Sequence, residues 1–275
     1  MTTDVIKNVK TGNTNTGAAV VYINKLNQYD SVNPDVNRQV NIDGVENSYT
    51  NRFVQDSTLN ILAKPNQSDN LLEVRDSNGD LTLHIDASGD LFLDDTVWDD
   101  MRILPSTFDF PGVTDPAITT WTPGGAGGTT FRIWEFQQTD QGFFTCQLPH
   151  TYAEGTDLYP HVHWTPKDRG VAESGKTVDW RLDYSIASIN QVFPSSVTVV
   201  MKDVCSGVDH KHEIDDSVPN ISGSGLRVSA MLVGRFYRGT DDDWVGTSAG
   251  QLPCLLELDI HYQINSLGSR EERTK

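Results

Sequence analysis

Short runs of alternating apolar and polar residues recur along this chain, and no segment shows a sustained helical period. Phe131–Phe136, Phe143–Leu148, Val178–Ile186, Val197–Met201, Leu226–Phe236 and Leu256–Tyr262 carry apolar side chains two positions apart, which places them on one face of a strand. Clusters of Gly, Pro, Asn and Asp separate the runs, as in Pro123-Gly124-Gly125-Ala126-Gly127-Gly128, and such clusters make turns. Strands with one apolar and one polar face predict an all-β fold: over residues 96–275, a two-sheet antiparallel β-sandwich of jelly-roll-like type.

Ahead of that region the chain says nearly the same thing twice. Asp76-Ser77-Asn78-Gly79-Asp80-Leu81 is followed by Asp86-Ala87-Ser88-Gly89-Asp90-Leu91, each a strand closed by a glycine-containing turn. Val74, Leu81, Leu83, Ile85, Leu91 and Leu93 supply an apolar face, too small to enclose a core within one chain. Several copies sharing that face would bury it, so residues 61–95 read as a short intertwined β neck that joins a homotrimer. Residues 1–60 are rich in Asn, Thr, Asp and Val, with apolar residues confined to runs such as Ala18–Ile23. A segment of this kind cannot offset its ordering entropy alone and reads as an extended arm that anchors to a partner. The expected organisation is therefore arm 1–60, neck 61–95 and head 96–275.

Composition narrows the partners. The formal charge of −17 and the pI near 4.6 oppose binding to nucleic acid or anionic lipid, which relies on Lys and Arg replacing counterions. Mean hydropathy is −0.41, and no stretch approaches the roughly 18 apolar residues of a membrane span, so no membrane insertion is expected. Met1-Thr2-Thr3-Asp4 opens without a basic or an apolar signal region, which predicts no secretory leader. Three cysteines, Cys146, Cys205 and Cys254, are too scattered for a disulfide framework or a zinc knuckle and fit a reducing cytoplasm. Asp241-Asp242-Asp243 reads as a solvated acidic loop, since Leu252 stands where a calcium loop starting at Asp241 would need its closing glutamate.

The sharpest chemical signal is His161-Val162-His163. With Gly155 and Asp168 it gives the spacing G-x5-H-x-H-x4-D, which looks like a degenerate cupin metal motif with Asp in place of Glu. Histidines two apart on a strand share a face, so His161 and His163 can reach one ion. The flanking Lys167–Gly170 looks like a turn, and no second cupin motif follows, so a packed structural pair of histidines is the competing reading. His210-Lys211-His212 reads as a solvated loop. Glu257, Asp259 and His261 alternate along the last strand, as a metal site or a salt-bridged surface between subunits would require. Phosphate-binding loops and the H-E-x-x-H helix are missing from the sequence, and a non-enzyme without a cofactor is expected.

Thr96–Arg102, Gln147–His150, Glu154–Trp164, Leu256–Tyr262 and Ser266–Glu272 resemble segments of a family of proteins encoded in tailed-phage genomes and prophages. The similarity spans residues 94–275. It implies a trimeric virion protein, assembled in the host bacterial cytoplasm and displayed on the virion surface. The first expectation within that class is a capsid decoration (cement) protein whose arm contacts the major capsid protein and reinforces the shell. The alternative is a short tail or head fibre, attached to tail or neck proteins, with Tyr237, Trp244 and Asp241–Asp243 offered to a host surface glycan. A cupin-like metal-binding protein using His161 and His163 stands third.

Overall fold

The structure, a computed structural model, describes residues 66, 68–215 and 220–274. The expected arm, residues 1–60, and the first residues of the expected neck lie outside the described residues.

The duplicated sequence folds as a duplicated structure. Strands β1 (Leu72–Arg75), β2 (Leu81–Ile85) and β3 (Leu91–Ile103) form an antiparallel meander. In the first turn Asp76 Oδ1 accepts the backbone N–H groups of Asn78 (2.8 Å) and Asp80 (2.9 Å). In the second, Asp86 Oδ1 accepts those of Ser88 and Asp90, both at 2.8 Å. Gly79 and Gly89 take φ of 90° and 84°, left-handed backbone that a side chain would strain. These two requirements explain why Asp-x-x-Gly-Asp is the unit repeated.

The meander continues directly into the sandwich, because β3 is one strand of 13 residues. The boundary expected between residues 95 and 96 falls inside it, and backbone pairing makes neck and head one sheet in each chain. That sheet is organised around β12 (Cys254–Ser266). One edge of β12 pairs with β5 (Phe131–Glu135), itself joined to β4 (Ala117–Trp121), and then with β3; the other pairs with β7 (Tyr159–Thr165), which carries β10 (Glu213–Ile214). The second sheet runs β6 (Gln141–Gln147), β11 (Met231–Arg238), β8 (Thr177–Ala187), β9 (Val197–Val204). All pairings are antiparallel, and the two sheets share one core. The all-β sandwich expected from the alternation is what the chain forms.

The core is aromatic at its centre. Trp180 of β8 stacks on Phe236 of β11 (centroids 5.5 Å apart), meets Phe136 edge-on at 5.6 Å, and reaches Trp164 of the opposite sheet at 6.4 Å. Gly234 of β11 lies across from Phe144 of β6, and a Cβ there would stand 2.5 Å from that ring, so only glycine lets Phe144 lie over its neighbour strand. Cys146, Cys205 and Cys254 are free thiols. Burial pushes Cys146 up to about 12, so it behaves as a small apolar group.

Two expectations change. The run Leu226–Phe236 is strand only from Met231; Ser229 has φ of 62° and the Ala230 N–H closes a turn onto Arg227 O. Asp241–Asp243 is not a solvated loop throughout. The Asp242 side chain is fully buried against Arg238, itself 2% exposed, because the loop folds back over the end of β11.

Candidate functional site

Alternation along three adjacent strands builds one polar face. In β7, Pro160, Val162 and Trp164 are buried while Tyr159, His161 and His163 face the other way. In β12, Leu258, Ile260 and Tyr262 enter the core while Glu257, Asp259 and His261 face out. Strand register then aligns them in rows: Arg102, Asp259 and His161 in one, Asp100, His261 and Tyr159 in the next, with Glu257 opposite His163. Cross-strand neighbours of this kind stand within side-chain contact.

The contacts form a connected network. His161 Nε2 lies 2.7 Å from His261 Nδ1, and His261 Nε2 lies 2.9 Å from Asp100 Oδ1. His163 bridges Asp259 Oδ2 (3.0 Å, through Nε2) and His212 Nε2 (2.7 Å, through Nδ1). Arg102 caps the row with two 2.5 Å bonds to Glu257. Enclosed by these groups, Asp259 is only 5% exposed although it points away from the core.

The contact between His161 Nε2 and His261 Nδ1 places one proton between two nitrogens, so one ring donates and the other accepts. Burial, reinforced by the charge of His261, holds His161 below the usual imidazole range. The hydrogen bond to Asp259 raises His163, and burial followed by the charge of His163 lowers His212. One face thus holds an imidazole biased toward the neutral form beside another biased toward the cation.

His161 and His163 share a face, as their spacing predicts, but the third group of the supposed cupin pattern does not join them. Asp168 is exposed in the turn after β7, where Lys167 has φ of 56°. The partners come from across the sheet: the potential ligand atoms of His161, Asp259 and His261 all lie within 4.8 Å of one another, and His163 stands behind Asp259. His212, read as part of a solvated loop, is brought onto His163 by the short strand β10. Asp100 was not singled out from the sequence; its signal is alternation within Trp98-Asp99-Asp100-Met101-Arg102, which shows a polar face but not what lies opposite.

Of the residues expected at a glycan, Trp244 is withdrawn from the surface and the others make contacts within the chain. Trp244 is 6% exposed, packs edge-on against Trp164 and donates its indole N–H to Gln251 O. Asp241 pairs with Lys202 and Asp243 with Lys176. Tyr237 lies under the Arg235 guanidinium, 4.3 Å from its ring centroid. Buried Glu173 accepts the N–H groups of Val245 and Gly246, and Glu135 accepts that of Gly250, fixing the loop that carries Trp244.

A second surface is apolar. Register in the meander sets Leu72, Ile85 and Leu91 in one row and Val74, Leu83 and Leu93 in the next, all on one face. None of the six is buried, and Leu72 and Val74 are 39% and 46% exposed. The opposite face carries Glu73 and the stacked pair His84 and Phe92.

No protein-family model matches the chain, and no curated protein matches it. Among solved structures, a Paenibacillus cycloisomaltooligosaccharide glucanotransferase complexed with cycloisomaltoheptaose aligns at 12% identity with a TM-score of 0.33. The alignment covers 57% of this chain and 18% of that one, a likeness too slight to bear on function.

Proposed function

We propose that this protein is a structural component of a tailed-phage virion, a homotrimer that decorates the capsid and is held together by the repeated meander. The observation that carries the reading is the double row Leu72, Ile85, Leu91 and Val74, Leu83, Leu93, none of which is fully buried by the described residues. A contiguous, incompletely buried apolar patch of this kind marks an interaction surface. The same surface on each copy can be buried by a closed symmetric assembly. The phage assignment rests on the resemblance of residues 94–275, and the net charge of −17 favours a protein or solvent setting over nucleic acid. In this reading the first sixty residues attach the protein to the shell, linking neighbouring capsid subunits so that rupture must break several contacts at once.

Sedimentation equilibrium tests the assembly. The full chain is expected to sediment as three copies. The double variant Val74→Asp, Leu83→Asp is expected to sediment as one, because each copy would bring two uncompensated carboxylates into the interface. A wild-type chain that stays single at micromolar concentration would sink the proposal. Immunogold labelling of intact particles then separates locations: label over the whole shell supports decoration, and label at one vertex replaces it with a tail or neck component.

A further inference from the structure

The cluster on the outer face of β7 and β12 has the composition and spacing of a ligand set. We infer that His161, Asp259 and His261 bind one divalent transition-metal ion, zinc foremost, with the remaining coordination position open to solvent. This site is independent of the assembly proposed above.

Three observations carry it. Two imidazoles and one carboxylate present donor atoms within 4.8 Å of one another. Imidazole nitrogen with one carboxylate suits zinc and its first-row neighbours, whereas calcium and magnesium call for oxygen donors. The 2.7 Å contact between His161 Nε2 and His261 Nδ1 is that of a shared proton. Two nitrogens on a tetrahedral zinc with Zn–N of ~2.0–2.1 Å stand about 3.3 Å apart, so replacing that proton by an ion needs the rings to part by only about half an ångström.

A buried atom left without a partner is the second observation. Asp259 is 5% exposed, yet its Oδ1 has no hydrogen-bond partner among the described residues. Buried polar atoms are nearly always satisfied, and an unpartnered oxygen on a carboxylate grouped with two imidazoles is an acceptor that a cation would satisfy.

Third, the surrounding groups hold the ligands as supporting residues of metal sites do. Asp100 Oδ1 sits 2.9 Å from Nε2 of His261, so ligation through Nδ1 leaves a carboxylate, histidine, metal sequence in place. His163 holds Asp259 Oδ2 at 3.0 Å, orienting the carboxylate. On the exposed side His261 also lines a shallow cleft of about 430 Å³ with Trp98 and Tyr159, where a water or a small ligand can complete the coordination.

The test uses the full chain, stripped with chelator and titrated with Zn²⁺ by calorimetry and with Co²⁺ by visible absorption. One equivalent per chain and the d–d bands of four- or five-coordinate Co²⁺ are expected. His261→Asn and Asp259→Asn should weaken Zn²⁺ binding by more than a hundredfold, and His163→Asn by about 10–100-fold through loss of orientation. His84→Asn, which removes a surface histidine paired with Asp94 at 2.6 Å, should change nothing. Should the ligand variants fail to fold, anomalous diffraction at the zinc edge from soaked crystals of the unaltered protein locates the ion. Absence of stoichiometric binding, unchanged affinity in folded ligand variants, or an anomalous peak away from Asp259 would each overturn the site and leave a proton-sharing histidine pair in its place.

Discussion

Replacing Trp180 by alanine should lower the unfolding free energy by about 3–5 kcal/mol, the range for deleting a large buried aromatic side chain. Trp180 is fully buried and joins both sheets through Phe136, Phe236 and Trp164. Removing it opens a cavity among rigid rings that can collapse only partly. For a domain of this size such a loss lowers the melting temperature by roughly 6–20 °C. Trp180→Phe should cost distinctly less. Among the described residues the buried indole N–H of Trp180 has no acceptor, and phenylalanine removes that donor along with the volume; an unsatisfied buried donor costs about 1–3 kcal/mol. Chemical denaturation of both variants checks the argument. Equal losses for Ala and Phe would mean that the N–H finds a partner and that packing at this site tolerates no change of ring size.

A comparable loss, about 3–5 kcal/mol, is expected for Arg238→Met. Arg238 lies at the end of β11 with its guanidinium bonded to both oxygens of Asp242 (2.8 and 3.1 Å) and to Phe136 O (2.9 Å). Both side chains are buried, at 2% and 0% exposure. Without the guanidinium, Asp242 keeps the amide of Gln138 at 2.9 Å but no charge partner, and a lone buried carboxylate is costly. The double variant Arg238→Met, Asp242→Leu should recover most of the loss, because two apolar groups need no partner. Denaturant midpoints of the single and double variants decide it. If the double variant is no more stable than Arg238→Met, the ion pair acts through the shape of the loop and not through its charges.

The same loop shows where reading the sequence stops. Three consecutive aspartates carry no record of which one will be buried; Asp242 is selected by Arg238, and the flanking Asp241 and Asp243 stay outside on lysines. Trp244, next in sequence and a natural platform for a sugar, is withdrawn into the core by contact with Trp164. Both outcomes depend on how the loop returns over the sheets, which local composition does not encode.

Alternation with period two was sufficient to place most strands of the sandwich, and Asp-x-x-Gly-Asp was sufficient to place two matching turns, because both signals are local: side-chain direction and backbone φ are fixed within a few residues. For the same reason His161 and His163 were legible as neighbours on one face. Strand Ala117–Trp121 was not anticipated, its short run being spread over threonines. What tertiary structure alone decided was the register that sets Asp259 between Arg102 and His161, and Asp100 against His261. Those partners lie far apart along the chain and meet only through pairing between distant strands. Strand period tells each residue which side to face; only the pairing of whole strands, driven by burial of their opposite faces, tells it whom to meet.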